Sequence, residues 1–310
     1  MTGLFLLIAL LAFDERLAQE IPRAPVAAAP DVALAAQIEQ LVETFLTTDD
    51  DGKSEAALSQ ARGIFERDGV LTLADVGDSA AYKFVLINML GQPPEFRLRF
   101  FAAVRTSAAR HQLPADAVTF AEARQRLTDI DIRYAEATPS HPKLRDQIEQ
   151  LSTDDQAVRQ KEGFDIMKMT EADRKIAEPL DGIFVRHGVP TYDMVGVQAA
   201  RDFIVMVQHQ SREFRRLVLP KLKANVDAGQ ADPGMYAMVY DRTQRDQAKK
   251  QLYGEQLECS TGNTLELAPL AEPATVNLRR AKLGLMRLEI YTRLVRLHSP
   301  DVCGSTDTPG

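Results

Sequence analysis

The chain has 310 residues, 45% hydrophobic and 26% charged, a globular composition long enough for two modest domains or one domain built twice. Its formal charge of −7 excludes a general nucleic-acid binder, which needs clustered positive charge to displace counterions from phosphate. Neither of its two cysteines lies in a Cys-x-x-Cys pair, which argues against a cysteine zinc site.

The first residues, MTGLFLLIALLAF, hold an apolar run of 11 from Gly3 to Phe13. That is too short to cross a bilayer as a helix and fits the apolar region of a secretory signal, although only the α-amino group precedes it as positive charge. Residues 1–19 read as signal-like, and residues 3–13 would tether the protein to a membrane if left uncleaved. Ala- and Pro-rich IPRAPVAAAPDVALAAQ, at 21–37, gives residues 20–36 the reading of a linker. The expectation is a periplasmic or otherwise exported protein.

Residues 37–136 and 143–298 read as two related helical units, with a tail at 299–310. GIFERDGVLTLADVG at 63–77 returns as GIFVRHGVPTYDMVG at 182–196. Across 63–84 and 182–203, 12 of 22 positions are identical, among them Gly69/Gly188, Thr72/Thr191 and Gly77/Gly196. The match resumes one residue out of step at Phe96/Phe214 and Arg97/Arg215, and extends to Arg124/Arg242. Such self-similarity predicts one supersecondary unit duplicated in tandem.

In the second unit a helix is expected from Asp154, behind the capping candidates Ser152 and Thr153, to a stop at Gly188. VPTYDMVG reads as a connector ended by Gly196. Ala200, Phe203, Ile204 and Val207 then fall on one helical stripe. EFRRLVLPKLKANVDAG is a further helix, kinked or restarted at Pro220. In PGMYAMVYDRTQRDQAKK, Met235, Met238, Val239 and Arg242 share a stripe. QLYGEQLE, CSTGN and TLELAPL read as a small β-hairpin with Gly262–Asn263 at its tip.

Basic helices follow, with Arg279, Arg280, Lys282, Arg287, Arg293 and Arg296 against the single acid Glu289 over 276–298. They form either a solvated face complementing acidic surface elsewhere or a surface for an anionic partner. In an oxidising compartment Cys259 and Cys303 could close a loop of about 45 residues, worth up to roughly 4 kcal/mol. The fold class is therefore mainly α: two tandem, divergent helical repeats with a small β-hairpin in the C-terminal half.

Comparing the units separates shared architecture from residues found in one copy. Arg242 recurs as Arg124, which suggests a structural pin paired with a carboxylate or carbonyl, or an anchor for an anionic ligand. Gln208 and His209 align with Met89 and Leu90, so the scaffold accepts apolar side chains there and His209 should be partly buried. An imidazole in such a niche suits acid–base work; the alternative is a core histidine bonded to a carbonyl.

Asp241 replaces Ala123 and could orient that imidazole. Gln208 and Gln256 could bind a carbonyl or a hydroxyl, and Tyr253, Gly254 and Gln256 lie in a strand segment with no counterpart. His187, His209 and Asp241 could share a metal, but nothing in their spacing brings them together, so no metal or cofactor is expected. Phosphate-loop and nucleophile-elbow motifs are missing.

The order DQAVR, HGVPTYDMVG, VQHQ, YDR, QLYGEQ and VNLRRAKLGL resembles an uncharacterised bacterial family, domain of unknown function 6624, over about residues 145–292. The resemblance implies shared roles for Asp155, Gln156, Arg159, Gly188, Pro190, Gly196, Gln208, His209, Asp241, Arg242, Tyr253, Gly254 and Gln256. Two positions depart: Gln210 and Ser211 stand where that family has an acid after the histidine, and Glu255 replaces a threonine.

Two functions follow. One is a non-enzymatic module of the cell envelope that binds a small molecule, glycan or peptide, or serves structurally. The other is an envelope enzyme, with a hydrolase among the options. His209 and Asp241 are its catalytic candidates, and Gln208, Arg242, Tyr253, Gln256, Asp155 and Arg159 its ligand-binding ones.

Overall fold

The computed structural model describes residues 29–159, 166–299 and 303, so the signal-like segment lies outside the described residues. They hold twelve α-helices and one two-stranded sheet, in the mainly helical class expected. The first five helices are α1 (Val32–Thr47), α2 (Asp51–Asp68), α3 (Leu73–Leu90), α4 (Pro94–Ala108) and α5 (Ala115–Tyr134). A second series follows: α6 (Pro142–Arg159), α7 (Ile166–His187), α8 (Tyr192–Gln208), α9 (Arg212–Asp227) and α10 (Pro233–Asp246).

Asp31 starts α1 by accepting a bond from the Leu34 amide, so residues 32–36 are helical rather than linker. In the first series α1 packs on α2 and α3, and α5 on α3 and α4; in the second α6 packs on α7 and α8, and α10 on α8 and α9. Each series closes on its own core. Ile38, Phe84, Ile87, Phe100 and Phe120 lie in the first, and Ile148, Ile183, Phe203, Val218 and Val239 in the second.

One backbone irregularity recurs in both. After a threonine at the N-cap, Thr72 or Thr191, a first helical turn breaks at a glycine, and the main helix continues at a new angle. Gly77 sits at φ 80°, ψ 175° and Gly196 at φ 82°, ψ 169°, dihedrals open only to glycine at low cost. VPTYDMVG is therefore no plain connector, since its last five residues already belong to α8.

Three other expectations change. Ser152 and Thr153 are not caps: α6 begins ten residues earlier, and Thr153 bonds back to the Glu149 carbonyl at 2.8 Å. On α10 the buried residues are Tyr236, Ala237, Val239, Asp241 and Thr243, which turns Arg242 outward. Tyr253, Gly254 and Gln256 occupy a loop, not a strand. The sheet itself is β1 (Leu257–Cys259) antiparallel to β2 (Leu265–Leu267), paired from Leu257↔Leu267 to Cys259↔Leu265.

Beyond the hairpin, α11 (Val276–Lys282) packs on α5, and α12 (Leu288–His298) is the last helix among the described residues. Here the basic run divides: Lys282, Arg293 and Arg296 stay exposed, while Arg280 and Arg287 are buried or half-buried on acids elsewhere in the molecule. Arg287 donates to Asp116 at 2.6 and 2.8 Å and to Asp78 at 2.7 Å, with its guanidinium 4.1 Å from the centre of the Tyr82 ring. Arg293 pairs with Glu43 on α1. Cys259 and Cys303 form a disulfide across a sequence separation of 44, with Cα atoms 5.5 Å apart. Among the described residues, no helix is long and apolar enough to cross a membrane.

Candidate functional site

Packing of α6 on α8 brings the last turns of α6 to the C-terminus of α8, where His209 is the capping residue. His209 Nδ1 lies 3.1 Å from Asp155 Oδ2. Asp155 also takes a two-pronged hydrogen bond from Arg159, with Nε 3.1 Å and Nη2 2.8 Å from Oδ1, and a third from Gln156 at 3.0 Å. Arg159 reaches onward to Asp173 on α7.

Asp155 is 1% exposed. Burial opposes its ionisation, but bonds and charges from His209 and Arg159 outweigh that and hold its pKa at about 2. An ionised carboxylate only accepts hydrogen bonds, so the proton on the neutral imidazole sits on Nδ1. The other ring nitrogen, Nε2, then carries a lone pair and has no hydrogen-bond partner among the described residues. The imidazole stays about one-fifth exposed, as the comparison with Leu90 anticipates.

Next to His209 in the chain, and at the arginines linked to this network by bonds or charge, lie three further groups. Gln208 is 4% exposed, and neither its amide oxygen nor its amide nitrogen finds a partner. Arg215 is tied down by the Gln208 carbonyl at 3.1 Å and by Asp246 at 2.7 Å. Arg242 is not: its guanidinium makes no ion pair or hydrogen bond among the described residues, so it is not the pin that its recurrence suggested. Partial burial, and then the Arg215 charge, press its pKa down, and Asp173 and Arg159 lie within electrostatic range.

A cavity of about 560 Å³ opens between α6 and α7, walled by Val158, Ala172 and Ile176 and by Asp155 itself. Asp155, Asp173 and His209 present ligand atoms within 4.8 Å of one another, a spacing that a metal ion could use. Arg159 bridges the two carboxylates, however, and supplies the positive charge that such a trio would otherwise draw from an ion.

The remaining candidates form a separate structure. Asp241 does not meet His209. Its oxygens accept from the backbone amides of Leu252, Tyr253 and Glu255 at 2.7 to 3.1 Å, and it is fully buried. Burial raises its pKa, and those amides pull it back. Gln256 offers its backbone amide to Gln251 and turns its side chain to the Glu255 carbonyl. Tyr253 packs edge-on against Tyr240. At Gly254 the close approach is not a ligand, because a Cβ there would meet Leu288 Cδ1 at 2.5 Å.

Glu255, the departure from the family pattern, is matched from within. Its carboxylate accepts from Arg280 Nη1 at 2.7 Å, and the Arg280 side chain is 1% exposed. The same guanidinium bonds the Tyr253 and Met286 carbonyls and faces the Tyr291 ring at 4.7 Å. His187, the third residue weighed for a metal, instead stacks edge-on with His141, 5.8 Å between centroids.

The site is thus built from Asp155, Arg159, His209 and Gln208, with Arg242 within electrostatic range, while Asp241, Tyr253 and Gln256 secure the loop before β1. Sequence reasoning missed Asp173 and Asp246. Asp246 could have been found through the repeat, since its counterpart Thr128 is uncharged. No curated protein and no solved structure is similar enough to match the chain. The model of one family matches residues 129–299, and the chain belongs to that family, described as a family of unknown function, DUF6624.

Proposed function

We infer that this protein is an exported binding module of the cell envelope, built from a duplicated helical unit whose second copy takes up a small carboxylate-bearing ligand. One observation carries the reading: an imidazole nitrogen without a partner among the described residues is fixed by a buried ionised acid, and Arg242, which has no internal partner, lies within electrostatic range of Asp173 and Arg159. One planar guanidinium matches one carboxylate in a two-pronged bond. His209 Nε2 accepts a hydrogen bond from a neighbouring hydroxyl, and the unpaired Gln208 amide offers further polar contact. The disulfide and the apolar N-terminal run support export.

The test is a melting-temperature screen of the full chain against hydroxy acids and sugar acids, with His209→Ala and Arg242→Ala beside it. A ligand that stabilises the wild type should lose its effect in both variants while their unliganded melting stays close to wild type. If the stabilisation survives either change, the site is elsewhere.

An enzymatic reading has its own support, because a carboxylate on Nδ1 leaves Nε2 poised to accept a proton from water. Turnover of a bound ester, lost in His209→Ala with binding retained, would favour it.

A further inference from the structure

The two helical series treat one pair of arginines differently. In the second, Asp246 bonds Arg215 at 2.7 and 3.2 Å and acts on Arg242 through space. The register of the repeat places Arg97, Arg124 and Thr128 at the corresponding positions of the first. Thr128 carries no charge and spends its hydroxyl on the Arg124 carbonyl at 2.9 Å.

Arg97 and Arg124 are consequently left without a counterion. Arg97 is 8% exposed, Nε of each is buried without a partner, and neither guanidinium makes an ion pair or a hydrogen bond among the described residues. They are close enough that burial, and then the Arg97 charge, lower the pKa of Arg124. Asp131 and Asp232 act on Arg124 only through space, and Asp232 is committed to Arg201 at 2.7 Å and to the first turn of α10. Two unpaired guanidinium groups under cover are costly, whereas a buried ion pair with satisfied hydrogen bonds is tolerated.

We propose that Arg97 and Arg124 form a second ligand site, between α4 and α5, that takes a compact tetrahedral oxyanion such as phosphate or sulfate in the place Asp246 fills in the other series. Each planar fork engages two oxygens, so a pair of forks calls for more oxygens than a lone carboxylate carries. With Arg97 only 8% exposed, a free ion fits better than a phosphoryl group on a bulky carrier. This site is independent of His209.

The experiment follows melting of the full chain in rising inorganic phosphate at constant ionic strength, with glycerol phosphate and chloride in parallel. Phosphate should raise the melting temperature saturably, more than glycerol phosphate or matched chloride does. Thr128→Asp supplies the missing carboxylate; it should melt at or above the phosphate-free wild type and bind phosphate at least ~10-fold more weakly. Arg97→Met gives the same readout by removing one fork, and serves if Thr128→Asp fails to fold. His209→Ala and Arg242→Ala should keep the full response, which separates this site from the carboxylate site. A wild type indifferent to phosphate, a larger response to glycerol phosphate, or an undiminished response in Thr128→Asp or Arg97→Met overturns the proposal.

Discussion

Replacing Asp155 by Asn tests the centre of the candidate site. The carboxylate is held at about 2 against an ordinary 3.8, so the folded state binds its proton less readily than the unfolded chain. The stabilisation is complete above the ordinary value, amounts to about 2 kcal/mol, and is lost as pH falls toward the folded one. Asn also puts an amide donor near Nδ1–H of His209 and the Gln156 amide, so one oxygen must serve all the former donors. The imidazole escapes by moving its proton to Nε2, which removes the lone pair that the proposed ligand uses. At pH 7 Asp155→Asn should lose about 2 kcal/mol, lowering the melting temperature by about 4–8 °C. Urea unfolding of both proteins at pH 7, 4 and 2.5 is the assay, and the gap should narrow between about pH 4 and pH 2. A gap that ignores pH, or none at neutrality, would refute the account of Asp155 as a buried anion.

Glu255→Ala strands Arg280 as a buried unpaired charge and should cost about 3–5 kcal/mol, whereas Glu255→Met with Arg280→Leu should recover most of that, as urea titrations can measure. Gly254→Ala, at φ 82° and against Leu288, should destabilise by about 1–3 kcal/mol, and Leu288→Ala in the same chain should cost less than the sum of the single changes. Cys259→Ser should cost about 2–4 kcal/mol, and a reductant should lower the wild-type melting temperature but not that of the variant.

What could be read from the sequence divides along physical lines. Gly77 and Gly196, each a few residues after a threonine, mark recurring kinks because so few residues tolerate those dihedrals. Both cysteines of the disulfide and the tip of the hairpin also stand out locally. Asp155 and Arg159 came from the family resemblance and His209 from comparison of the units, yet their meeting depends on how α6 lies against α8, 54 residues apart along the chain. Asp241 misleads for a complementary reason. A carboxylate in place of Ala123 looks functional, but its partners are backbone amides, which every residue but proline carries and no motif advertises. The basic run likewise resembles a surface until Asp78, Asp116 and Glu255 are seen to receive Arg280 and Arg287.

The matched family stretch opens at residue 129, yet its final helices rest on groups that precede it. Met286 and Ile290 lie against the first core, and Arg287 ends on Asp78, Asp116 and Tyr82. Cut out alone, residues 129–299 would expose an oily seam with a stranded cation at its edge. The N-terminal half is thus a fitted cover for the matched stretch. A substitution at Asp78, Asp116 or Tyr82 therefore reaches across the chain into the matched stretch.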